Sequence, residues 1–183
     1  MSTDQDLIKE IQLPDGFIAK LTDDVLEITG PLGSTSKDFR LIRVNIQVDS
    51  NKIILESFGN RKKHMATLGT AFSIINNLIV GTSEGFTYKL KTAFAHFPMS
   101  VKTEGSKILV DNFYGERSAR VANIVGDSNV SIKGDEIIVS GINLEHVSQT
   151  AANLEQSTRI KNKDHRVFLD GIYKYSKAVG IEK

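Results

Sequence analysis

A unit of about eighty residues occurs twice in this chain, and that repetition limits the folds open to it. Leu26, Ile28, Leu32 and Gly33 align with Ile108, Val110, Tyr114 and Gly115 at an offset of 82. Ile46, Val48, Ile53, Ile54 and Leu55 align with Val130, Ile132, Ile137, Ile138 and Val139 at an offset of 84, so two loop residues separate the two matches. His64, Met65 and Phe72 fall on His146, Val147 and Leu154 at 82 again, inside stretches that read as helices. Two copies are too few for a solenoid, and each is long enough to own a modest core. The expectation is an α+β protein of two tandem similar domains, residues 1–82 and 83–183, each a small, mostly antiparallel sheet packed on one helix.

Coarsely, each copy reads as four strands and then a helix, punctuated by Asp, Gly, Asn and Ser turns. In the first copy, residues 18–21 and 25–28 flank Thr22-Asp23-Asp24 as a hairpin, with further strands expected over 36–41, 45–48 and 53–57. Met65, Leu68, Phe72, Ile75 and Ile79 recur at helical spacing, which predicts a helix from near Asn60 to Gly81. A second is expected over about 144–158, with Val147, Ala151 and Leu154 inward. Phe86, Tyr88 and Leu90 alternate before a His96-Phe97-Pro98 turn, the pattern of an opening hairpin for the second domain. Beyond Arg159 the repeat stops, leaving a basic tail without a counterpart after the first helix.

The formal net charge of +1 hides four blocks: −5 over residues 1–38, +6 over 39–103, −4 over 104–158 and +4 over 159–183. Such segregation suits a molecule that turns one face to a polyanion. No cysteine is present, which excludes disulfides and thiolate metal sites and fits a reducing compartment. The acidic start has too short an apolar run for a signal peptide, and no stretch approaches a continuous apolar span of roughly 20 residues, so no membrane role is expected.

Signatures of catalysis are missing: there is no Gly-rich phosphate loop, paired-histidine zinc helix, calcium loop or nucleophile elbow. The histidines at 64, 96, 146 and 165 lack metal-ligand spacing, so no metal, cofactor or small-molecule substrate is expected. Basic and aromatic residues interleave in the tail instead: Arg159, Lys161, Lys163 and Arg166 lead into Phe168, Tyr173 and Tyr175. That pattern suits phosphate contacts plus stacking on folded RNA, although Val167, Phe168, Ile172 and Tyr173 could equally pack the tail onto the second sheet. Arg61, Lys62 and Lys63 open the first helix, where the macrodipole disfavours cations, and an anionic partner or screening by water would each account for them. Arg117 and Arg120 are expected to point outward from the turn around Gly115, whose counterpart is Gly33.

Three stretches carry a family likeness: LGTAFSIINNLIVGTSEGF, DNFYGERSARVANI and, most specifically, GINLEHVSQTAANLEQSTRIKNKDHRVFLDGIY. They resemble the archaeal and eukaryotic branch of the large-subunit ribosomal protein family numbered six in bacteria, over nearly the whole chain. The resemblance implies a cytoplasmic constituent of the large ribosomal subunit, not an enzyme, that binds large-subunit ribosomal RNA mainly through its second domain. It places such a protein near the factor-binding region, beside other ribosomal proteins at the stalk base. The RNA-contact candidates it implies are Arg159, Lys161, Lys163, His165, Arg166 and Lys174, to which Tyr175, Lys177, Arg117, Arg120, Arg61, Lys62 and Lys63 are added from the residue pattern. The first domain, with Ala71 and Phe72 where many relatives are basic, is expected to turn its acidic start to another protein. The alternative is a non-ribosomal two-domain interaction scaffold with incidental basic loops.

Overall fold

The computed structural model describes residues 7–95, 97–161, 164 and 167–181. The chain divides into two compact units, Met1–Glu84 and Gly85–Lys183. In the first, β1 (Ile8–Gln12), β6 (Lys52–Ser57) and β5 (Val44–Asp49) form an antiparallel sheet in that order, while β2 (Ile18–Thr22), β3 (Val25–Gly30) and β4 (Gly33–Asp38) form another. One helix, α1 (Lys62–Ser83), packs against strands of both. Leu26 and Ile28 from β3, Ile53 and Leu55 from β6, and Leu68, Ala71 and Ile75 from α1 are withdrawn from solvent completely.

Among the described residues six strands precede α1, one more than the five runs placed from the sequence. The strand missed in the sequence is β1, whose residues are exposed except for Ile11, so its charges mask the alternation. The strand expected over 36–41 lies earlier, at Gly33–Asp38, and the Phe39 amide donates to the Asp24 carbonyl at 2.9 Å in continuation of the β3–β4 register. Helix α1 is also long and apolar enough to cross a membrane by length and composition, which corrects the expectation that no segment is. Its apolar stripe lies against the two sheets. On its outer side, Thr67, Thr70 and Ser73 donate back to carbonyls four residues earlier at 2.9–3.0 Å, so the polar groups are satisfied locally.

The second unit repeats this plan with one addition. β8 (Ser100–Glu104), β9 (Lys107–Asp111) and β10 (Arg120–Asn123) form the three-stranded sheet. The other sheet runs β11 (Asn129–Lys133), β12 (Glu136–Gly141), β7 (Phe86–Ala93), β13 (Gly171–Val179), all antiparallel. The pair Val48 and Ile53 recurs as Ile132 and Ile137 at the same offset, so the sequence repeat is a repeat of register. Helix α2 (Leu144–Ser157) starts on Asn143, whose side chain accepts from the amides of Glu145 at 2.9 Å and His146 at 3.4 Å.

Two expectations fail here. Residues 86–93 are not a hairpin arm: β7 pairs along its two edges with β12 and β13, and Phe86, Thr87 and Tyr88 are buried in succession, the Thr87 hydroxyl donating to the Gly180 carbonyl at 2.6 Å. The stretch after Arg159 is not simply a tail either, since β13 supplies the fourth strand and buries Ile172. A bulge between Lys174 and Ser176 leaves Tyr175 as the extra residue.

Arg120 does not point outward. Its guanidinium takes both Glu116 carboxylate oxygens at 2.7 and 2.8 Å, and donates to the carbonyls of Ser157 at 2.9 Å and Arg159 at 3.1 Å, where α2 ends. It also lies 4.2 Å from the centre of the Phe113 ring. A cation on the orphan carbonyls of a helix C-terminus is favourable, so Arg120 clamps the strand loop to the end of α2. Hydrogen bonding from Arg120 holds the Glu116 carboxyl below its ordinary value, against a smaller opposing effect of burial.

Two tests follow from this packing. Leu68→Ala or Leu154→Ala, each emptying a fully buried site, should cost about 2–5 kcal/mol, read as a lower urea midpoint. Because Glu116 is depressed in the fold, its pairing stabilises fully above the ordinary value of 4.5 and is lost as pH falls through the lowered one. The urea-stability gap between wild type and Glu116→Gln should therefore be constant well above pH 4.5 and narrow as pH falls below it; a constant gap throughout would show that the clamp does not titrate.

Candidate nucleic-acid interface

The connection between α2 and β13 is tied at both ends. On the helix side, Ile160 is buried, and the Thr158 hydroxyl accepts from the Ile172 amide at 3.0 Å. On the strand side, buried Asp170 accepts from the Ala95 amide at 3.0 Å. Between them the amides of Val167 and Phe168 donate to the Asp164 carbonyl at 3.1 and 3.0 Å, closing a turn. Arg159 and Lys161 are exposed on this connection. Lys163, His165 and Arg166 lie outside the described residues.

Beside it stands the loop joining β9 to β10. Asn112, Tyr114 and Gly115 all have left-handed backbone, with φ of 59°, 53° and 71°. Glycine adopts that conformation freely and asparagine tolerates it, so Tyr114 is the residue held there by its surroundings. The Asn112 side chain donates to the Pro98 carbonyl at 2.9 Å, and Tyr114 lies with its ring centre 5.0 Å from that of Phe113 and 5.8 Å from that of Phe168. Phe168 thus links this loop to the connection after α2. The Tyr114 hydroxyl is buried and has no hydrogen-bond partner among the described residues; burial first, then the nearby Asp170 and Tyr173, raise its ionisation above the ordinary value. Arg117 is exposed on the same loop.

The remaining candidates occupy two other places. Lys174 and Lys177 each bring their ammonium 5.8 Å from the centre of the Tyr88 ring, and Lys174 also lies 4.0 Å from Glu155 of α2. The bulge lets both lysines face the helix side of the sheet. Tyr175 is half exposed and bonds through its hydroxyl to Glu136. Arg61, Lys62 and Lys63 belong to the first unit, exposed at the start of α1, where Arg61 takes the N-cap position without a side-chain cap and no acid occupies the first turn.

Arg159 and Lys161 therefore follow directly on the end of α2, Arg117 lies on the loop that Arg120 clamps to that end, Lys174 and Lys177 lie beside Tyr88, and the α1 cations belong to a separate unit. Lys91 was missed in the sequence. Strand pairing puts it between Glu136 and Tyr173, neighbours that lie far from it along the chain. The one available signal was the alternation of Lys89 and Lys91 with apolar residues in β7. Among the described residues, no group of three or more His, Cys, Asp or Glu side chains is placed to hold a metal ion.

A family model described as ribosomal protein L6 matches residues 97–171, which include β8 to α2 and the connection to β13. The chain is 46% identical over 169 residues to the large ribosomal subunit protein uL6 of Methanobrevibacter smithii, covering 92% of this chain and 95% of that one. With the protein of the same name from Aeropyrum pernix the identity is 39% over 180 residues, covering 98% and 99%. With that from Archaeoglobus fulgidus it is 47% over 148 residues, covering 81% and 76%. Similarity at this level spans both units and the strand that distinguishes them, so the chain belongs to the uL6 family of large-subunit ribosomal proteins, on its archaeal-type branch.

Proposed function

We propose that this chain is a structural constituent of the large ribosomal subunit whose second unit docks on large-subunit ribosomal RNA near the factor-binding region, through the connection from Arg159 to Asp170. It acts by binding and charge neutralisation rather than by turnover. The observation that carries the reading is a basic connection held at both ends, by Thr158 on Ile172 and by Asp170 on Ala95, with Arg159 and Lys161 exposed between them. Fixed anchors reduce the conformational entropy lost when such a segment meets phosphates. Lys163, His165 and Arg166 extend the same basic run in the sequence.

The first unit presents a different surface. From Met65 to Ser83, α1 carries no charged residue, on its outer side as well as its buried stripe. An uncharged helix face beside an N-terminal segment of net charge −5 suits contact with neighbouring ribosomal proteins better than contact with a phosphate backbone.

The test is binding to a large-subunit rRNA transcript across a salt series. Lys161→Ala with Arg166→Ala should weaken binding and reduce the log–log salt slope by roughly 1.4–1.8, from about 0.7–0.9 per phosphate contact. Unchanged affinity and slope would remove this connection from the interface. An interaction scaffold with incidental basic loops predicts no salt-dependent RNA affinity for the wild-type chain.

A further inference from the structure

On the sheet face away from α2 a groove of ≈ 520 Å³ opens, walled by Phe94, Tyr173 and Tyr175 with Lys91 and Asp135 at its sides. That volume is within the roughly 300–1,000 Å³ of ordinary ligand sites. None of its charged groups belongs to the basic connection described above.

Tyr173 is built as a platform. Its ring lies close over Gly171, where a β-carbon would meet Cζ and the hydroxyl oxygen at 3.1 Å, tighter than ordinary contact. Its hydroxyl donates to the Leu169 carbonyl at 3.0 Å, fixing the far end. Even so, the residue remains 47% exposed, which leaves ring surface open to solvent. Phe94 and Tyr175, at 42% and 57% exposed, add further uncovered aromatic surface. Large rings pinned in place yet left exposed are unusual in a core and suit recognition of another flat group.

We propose that this groove receives one unpaired nucleobase of the RNA, stacked on Tyr173, with the attached phosphate at Lys91. The inference rests on the RNA-binding reading above and adds a site to it. The charges set the orientation. Asp135 in the wall repels a phosphate but can accept from a base amino or imino N–H, whereas Lys91, the cross-strand neighbour of Tyr173, supplies the cation for the backbone. Tyr173 also lines a second depression, of ≈ 280 Å³, that contains Arg159. The groove and the start of the basic connection therefore share Tyr173 as a wall.

The experiment measures affinity for the large-subunit rRNA transcript across a salt series with wild type, Tyr173→Leu, Tyr173→Phe, Lys91→Ala and the Lys161→Ala, Arg166→Ala double variant. Tyr173→Leu should weaken binding by roughly 5- to 150-fold, the worth of one stacked base, without changing the salt slope. Tyr173→Phe should retain most of the affinity, and Lys91→Ala should lower the slope by roughly 0.7–0.9. Phe94→Leu repeats the test should Tyr173→Leu lower the thermal midpoint. Wild-type affinity in a folded Tyr173→Leu, or an equal loss in Tyr173→Phe, overturns the site while the double variant's response keeps the RNA reading intact. Normal RNA affinity with defective entry into subunits would make this surface a protein contact and overturns it too. Absence of salt-dependent binding by wild type removes both readings together.

Discussion

The second unit depends on the pairing of β13 with the outer edge of β7. An unpaired edge exposes a row of amides and carbonyls, and here a strand from the same chain covers it from Gly171 to Val179. That pairing buries Ile172, holds the ends of the connection through Thr158 and Asp170, and brings Tyr173 beside Lys91. In the first unit the corresponding strand, β1, is an edge strand paired with β6 alone among the described residues. The difference between the copies is thus one strand, and the candidate RNA contacts of the second unit follow from it.

Charge is arranged to serve this plan. Arg120, which has the residue type of an RNA contact, is engaged by Glu116 and by the carbonyls at the end of α2. Its guanidinium fork suits that task, whereas Arg159 and Lys161 beside it remain exposed. Lys174 is an intermediate case, half-buried between Tyr88 and Glu155, while Lys177 reaches the same ring but stays exposed. Sorting cations into those that hold the fold and those that face outward is a matter of geometry. Residue type alone counts all of them equally.

Aromatic side chains divide in the same way. Phe113 is buried beneath Arg120, and Tyr114 is locked in left-handed backbone against Phe168. Tyr173 and Phe94 keep exposed surface although glycine packing and the Asp170 hydrogen bond hold their segments still. Rigid display of a flat surface lowers the entropy lost on stacking, which is why a fixed platform binds better than a mobile ring.

Much of the architecture was legible in the chain. The offsets of 82 and 84 marked two similar units, the stripe from Met65 to Ile79 marked a core helix, and Val147, Ala151 and Leu154 marked another. These signals are local or periodic, so burial imprints them directly on the residue order. The interior position of β7, the strand hidden in the supposed tail, the inward turn of Arg120 and the meeting of Lys91 with Tyr173 were not legible. Each depends on which distant segment lies alongside, and strand pairing is set by the summed burial of the whole unit rather than by any local pattern. The sequence alone determined two α+β units with a basic, aromatic stretch in the second; only the tertiary structure decided which of those cations and rings face outward, because pairing β13 to β7 determines the face on which each side chain emerges.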